Sequence, residues 1–166
     1  MSNLPNDMNQ LAKDIANELE NVIPRMIGKT GQDYFEDSFM SESWDGKPWE
    51  NVERRKPDSH WYGFQYKAGG KRNFSNAATT RKILTGSTAE LGNSIRHRVA
   101  HGARGAEVVW STDKVYAEIQ NEGGDIKVFG KHAATITRRQ FIGFSYELDK
   151  QFEEIIKSRI EKAFRK

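Results

Sequence analysis

The chain has 166 residues, 36% hydrophobic and 30% charged, with a net charge of +3 and an isoelectric point near 9.1. That length suits a single domain with a modest core and a wide wet surface. No run of about 18 apolar residues is present, so no membrane span is expected. The opening "MSNLPNDMNQ" lacks the features of a signal peptide, and the absence of cysteine excludes disulfides, thiolate metal sites and cysteine nucleophiles.

Leu11, Ile15, Leu19, Val22 and Met26 recur at helical spacing between charged residues, which predicts an amphipathic helix over 9–23. Pro24 closes that helix or opens a second. Ile27, Gly31, Tyr34, Phe35, Ser38 and Phe39 continue a helical face to about residue 42, although Gly28 and Gly31 each cost it about 1 kcal/mol. The two helices are expected to pack as a helical hairpin over 9–42.

Residues 43–80 have no clear period. They open with "SWDGKPWENVERRK", which sets Trp44 and Trp49 around Gly46 and Pro48 and follows them with Arg54, Arg55 and Lys56. Trp61, Tyr62, Phe64, Tyr66 and Phe74 follow, more aromatics than a disordered linker spends. The segment reads as a long aromatic and basic loop of the kind that is usually functional. It is also one pole of an uneven charge distribution. Residues 1–52 hold ten acids and four bases, net −6, and residues 53–82 hold eight bases and two acids, net +6. Opposite poles suit nucleic acid, an acidic partner, or another copy of the same chain.

Order returns at Ile83, in a β-rich stretch over 83–144. Ile95, His97 and Val99 alternate with Arg96 and Arg98, and Ala106, Val108 and Trp110 alternate with Glu107 and Val109. The intervening "HGARG" makes this a β-hairpin, the basis of a small antiparallel sheet. "VYAEIQNEGG" reads as a short helix with Tyr116 and Ile119 inward, stopped by Gly123 and Gly124. Residues 126–142 read as short strands and a loop. Ser145 is an N-cap for a last helix over 145–166, with Leu148, Phe152, Ile155, Ile156, Ile160 and Phe164 as its apolar set. Helices, then strands, then a helix predict an α+β fold.

No catalytic constellation emerges, and the chain reads as a non-enzyme without cofactor or metal. "GKT" at 28–30 resembles the end of a phosphate-binding loop, but Ile23 stands where that loop needs glycine. His60, His97, His101 and His132 show no ligand spacing, and no nucleophile elbow is present.

Four segments, "SWDGKPWENVERRK", "KILTGSTAELGNSI", "VYAEIQNEGG" and "RRQFIGFS", follow one another in the order and spacing of the phage virion morphogenesis (tail completion) family, which the chain resembles from about residue 10 to its end. It departs in having Thr137 where the family often has proline, and two extra residues between Gly86 and Leu91. The resemblance implies a small structural protein of tailed phages or prophages, synthesised in the host cytoplasm and placed at the head–tail junction or tail end of the virion. It implies a ring of identical subunits, hexameric if it follows tail symmetry, contacting tail-tube, terminator and head-connector proteins, with transient contact to passing DNA.

A ring needs one surface of a subunit to meet a different surface of the next. The expected contact sets Trp44, Trp49, Arg54, Arg55 and Lys56 against Glu18, Glu20, Glu36 and Asp37; the tryptophans also suit a cap over the chain's own core. The alternative is a nucleic-acid-binding module contacting the DNA backbone through the 53–82 loop and Arg96 and Arg98. In a ring those two arginines, with Arg104, would face the channel.

Overall fold

A computed structural model describes residues 4–62, 74–75, 79–86, 88–128 and 132–165. Phe64, Tyr66, Lys67, Lys71 and Arg72 of the expected loop lie outside them. The class is α+β, as the order of patterns predicts: a long N-terminal helix, small antiparallel sheets and a C-terminal helix. The chain divides within its second helix into two compact units, residues 1–34, 95–112 and 144–166 in one, 35–94 and 113–143 in the other.

The expected helical hairpin is replaced by one continuous helical run. Helix α1 (Leu4–Asn17) passes through a π turn at Glu18–Val22 into α2 (Ile23–Ser41). The Ile23 amide donates to the Glu18 carbonyl, five residues back, and Ile23 keeps helical dihedrals of φ −58° and ψ −47°. The wide turn places Pro24 directly after itself, so the missing N–H and the ring's clash with the preceding turn are absorbed rather than ending the helix. One extra residue also rotates the following face by about 100°. The expected apolar set holds only in part: Leu19 and Met26 are exposed and Val22 is half-buried, whereas Glu18 and Ile23 are buried.

In the first unit, strands β3 (Arg96–Gly102) and β4 (Gly105–Ser111) form the predicted hairpin, paired from Arg96↔Ser111 to Gly102↔Gly105. The short strands β1 (Ser43–Trp44) and β2 (Lys47–Pro48) belong to the other unit. The cross-strand partners His97 and Trp110 press on the backbone of α2. Trp110 Nε1 donates to the Gly28 carbonyl at 2.9 Å, and His97 Nδ1 lies 2.7 Å from Gln32 Oε1. A Cβ at Gly28 would stand 2.4 Å from His97 Cδ2, and one at Gly31 2.6 Å from Trp110 Cζ2. The two glycines that weaken the helix in isolation are therefore the surface on which the hairpin packs. We expect Gly31→Ala to destabilise by about 1–3 kcal/mol through overpacking, although alanine is the better helix former by about 1 kcal/mol. Gly102→Ala, in open space, should leave the thermal midpoint near the parent's. A Gly31→Ala variant that melts higher than the parent would contradict this packing.

After a short α3 (Ala117–Glu122) in the other unit, the C-terminal helix α4 spans Tyr146–Phe164. It is capped as predicted: Ser145 Oγ accepts from the Leu148 amide at 3.2 Å and donates to the Tyr34 hydroxyl at 2.9 Å. Phe152 stacks on Trp110 with centroids 5.9 Å apart and planes 6° from parallel. The inward stripe, however, runs Leu148, Phe152, Ile155, Arg159, Ala163, and Ile156 and Phe164 are exposed. Arg159 takes the inward place because it pairs with Glu18 on the π turn, Nε to Oε2 at 2.8 Å and Nη2 to Oε1 at 2.6 Å.

The second unit is built on Phe35, Phe39, Ile83, Leu91 and Phe141, all buried. Trp44 stacks on Phe35 at 5.8 Å, while Phe39 meets Trp49 edge-on at 5.7 Å and Phe141 at 5.0 Å. The start of the expected loop is a minimal hairpin, β1 (Ser43–Trp44) and β2 (Lys47–Pro48). Asp45 and Gly46 turn it with φ of +50° and +74°, the Asp-Gly preference of a two-residue turn. Helix α3 (Ala117–Glu122) stops at Gly123, φ +72°. It turns Ala117 and Asn121 inward and leaves Tyr116 exposed, contrary to expectation. Asn121 Oδ1 accepts from the Phe141 amide at 2.9 Å and the Ile142 amide at 3.1 Å, and this tie selects the inward face. Strands β5 (Gly124–Val128) and β6 (His132–Ile136) pair antiparallel.

Candidate interaction site

The residues expected to form a subunit contact fall into three groups. Trp44 and Trp49 are half-buried and serve the chain's own core: beyond its ring contact with Phe39, Trp49 donates Nε1 to the Gln140 carbonyl at 2.9 Å.

Arg54 and Arg55 are half-buried and bonded within their own unit. Arg55 forms a two-pronged bond to Glu42, Nη1 to Oε2 at 2.8 Å and Nη2 to Oε1 at 2.7 Å. It also donates to the carbonyls of Thr80 and Arg81. Arg54 donates to the carbonyls of Arg81 and Lys82. The Ile83 amide completes the clamp by donating to Glu42 Oε1 at 2.6 Å. The two arginines thus hold residues 80–83 against the end of α2. The Arg55 bonds, with the Ile83 amide, hold the Glu42 carboxyl below its ordinary value of 4.5. Burial first, then the neighbouring Arg81 and Arg55 charges, pull the Arg54 guanidinium down to about 10. Lys56 is likewise engaged, 2.6 Å from Glu53 and 3.6 Å from Glu50. The charge poles are therefore partly joined inside one unit, since Glu42 and Glu50 belong to the acidic third and Arg55 and Lys56 to the basic loop.

The acidic group also divides. Glu18 is buried against Arg159, so it cannot offer a free charge. Its position three residues after Ile15 and seven after Leu11 puts Glu18 on their face of the helix. Glu20 is exposed. Glu36 and Asp37 line a small pocket with Phe39, Met40, Thr85, Ala89, Gly92 and Asn93. No signal marks that pocket in sequence, because its walls come from α2 and the 85–93 turn. Arg96 and Arg98 are exposed and share one strand face, as predicted, and Arg104 is exposed in the two-residue turn between β3 and β4.

Among the described residues no group of three or more His, Asp or Glu is placed to hold a metal ion, and no helix is long and apolar enough to cross a membrane. Compared with family models, curated proteins and solved structures, the chain matches none.

Proposed function

We propose that the chain is a structural virion morphogenesis protein of a tailed bacteriophage or prophage, acting in tail completion and head–tail joining as a ring of identical subunits. The observation that supports this most is the mutual bonding of the four segments that carry the resemblance. Trp49 reaches Gln140, Arg139 donates Nε and Nη2 to the Glu50 carbonyl at 3.2 and 3.1 Å, and the Arg139 amide donates to the Gln120 carbonyl at 3.0 Å. Arg54 and Arg55 tie the first segment to residues 80–82 at the head of the second. Segments far apart in the chain thus form one framework, so their residues act as architecture rather than chemistry.

Deleting the gene from the phage or prophage that carries it tests the reading. Filled heads and separate tails should accumulate by electron microscopy, and the gene supplied in trans should restore infectious particles. Normal particles from the deletion would sink it. The exposed Arg96, Arg98 and Arg104 favour one second reading, contact with DNA phosphates. Its mark would be duplex binding whose log affinity falls linearly with log salt.

A further inference from the structure

The second unit carries a cleft that the expected subunit contact does not use. Its volume is about 310 Å³, at the lower end of the roughly 300–1,000 Å³ of small-molecule sites. One wall is the 84–91 turn, and the other is the start of α3, with Tyr116 and Gln120. The turn is strained and held in place. Leu84 and Ala89 have left-handed backbone, φ +58° and +52°, which is uncommon for residues that carry a side chain. The Ala89 amide donates to the Thr85 carbonyl at 2.6 Å, the Asn93 amide donates to the Ala89 carbonyl at 3.0 Å, and Thr85 Oγ1 donates to the Lys82 carbonyl at 2.9 Å. Strain of this kind gathers at ligand clamps. The facing wall is fixed as well. Asn121 turns inward onto the Phe141 and Ile142 amides, and Tyr116 and Gln120, four residues apart, share the face that lines the cleft.

The polar groups that meet there are uncommitted. Among the described residues the Tyr116 hydroxyl, the Gln120 side-chain amide and the Thr88 hydroxyl have no hydrogen-bond partner. Tyr116 is 40% exposed, so its ring offers an apolar face with a hydroxyl at the edge. Leu84 and Leu91 add apolar surface. The Gln120 amide both donates and accepts, and the Glu90 carboxylate accepts. Lys114 Nζ stands 3.8 Å from Glu90 Oε2. An anion therefore meets a lysine already beside a carboxylate, and a cation meets a carboxylate already paired. The ligand that suits this cleft is neutral, rich in hydroxyls and apolar on one side. A pyranose ring is such a molecule, since its C–H groups pack on an aromatic face while its hydroxyls reach amide, carboxylate and threonine. We infer that the cleft between the 84–91 turn and α3 binds a neutral hexopyranose, with Tyr116 as the stacking platform and Gln120, Thr88 and Glu90 as hydrogen-bond partners. Sugar binding by one subunit requires no ring, so the ring reading stands or falls apart from it.

The experiment titrates the isotope-labelled full chain with glucose, galactose, mannose and N-acetylglucosamine, followed by NMR. Each is carried to about 50 mM, well above the dissociation constant on the order of 1 mM expected for so small a ligand. At least one should shift the amide signals of residues 84–91 and 116–120 together. Tyr116→Ala should weaken that sugar at least about tenfold and Thr88→Val about threefold. Both positions are exposed, so both variants should melt near the parent. Val115→Ala, 98% exposed and next in the chain, should bind as the parent does. The charged analogues glucosamine and glucuronate should bind no better than the neutral sugar. Four sugars without effect, shifts confined to other residues, undiminished binding by the two folded variants, or tighter binding of a charged analogue would each overturn the site.

Discussion

Arg55→Ala should lower the stability of the chain by about 3 kcal/mol, the low end for removing one partner of a buried ion pair. The Arg55 and Glu42 side chains are only 16% and 21% exposed, so the carboxylate left behind would be poorly hydrated. The same change removes Arg55's bonds to the carbonyls of Thr80 and Arg81, the second of which keeps Arg54, and the lost hydrogen bonds add to the cost. The double variant Arg55→Met with Glu42→Gln should lie nearer the parent than the single one, because no lone charge remains. Acid should act through the same pair. Glu42 has a depressed value in the folded chain, so its stabilisation is complete above the ordinary carboxylate value of 4.5 and is lost as pH falls through the lowered one. Urea unfolding of the parent and Glu42→Gln across that range should show the parent losing more stability in acid. An Arg55→Ala variant with an unchanged urea midpoint would mean that the clamp contributes nothing.

Phe141→Ala should be at least as damaging, at about 3–5 kcal/mol. Phe141 is fully buried, its ring packs on Phe39 at 5.0 Å, and its amide is tied to Asn121. Truncation leaves a cavity that the Asn121 tie keeps from collapsing, and a loss of this size takes a large share of the about 5–15 kcal/mol that domains possess. Insoluble expression or a melting point far below the parent's is expected. Phe144→Ala, whose ring is 63% exposed and meets Tyr146 edge-on at 4.8 Å, should do little. If the two variants melt alike, Phe141 is not the centre of its unit.

Much of the secondary structure was legible because it depends on local pattern. The alternation around "HGARG" and the Ser145 cap are short-range signals, and the structure carries both. The failures have a common origin in contacts between distant residues. Whether Pro24 ends a helix depends on a π turn that no propensity encodes, and the Arg159 that meets Glu18 comes from the far end of the chain. Gly28 and Gly31 read as weaknesses until Trp110 and His97 arrive from about seventy residues further on. The turn falls at Asp45 and Gly46, between strands of two residues each, too short for a period to register. At the site, exposure was the error: Arg54 and Arg55 sit in a polar stretch, and nothing local announces that Glu42 and the carbonyls of 80–82 will enclose them. Asp37 and Arg104 are exposed, and Glu36 is half-buried.

The placement of the tryptophans makes the chain its own optical instrument. Trp110 is the only one of the four in the first unit, stacked on Phe152 with its indole N–H bonded to a helix carbonyl, whereas Trp44, Trp49 and Trp61 all fall in the second. Replacing those three by phenylalanine leaves an emission that reports the first unit alone, and replacing Trp110 leaves one that reports the second. Superimposable denaturation curves from the two proteins would identify a single cooperative transition, and separated curves would resolve two. A chain divided within one helix thus carries, in its native chromophores, the means to measure whether its halves melt together.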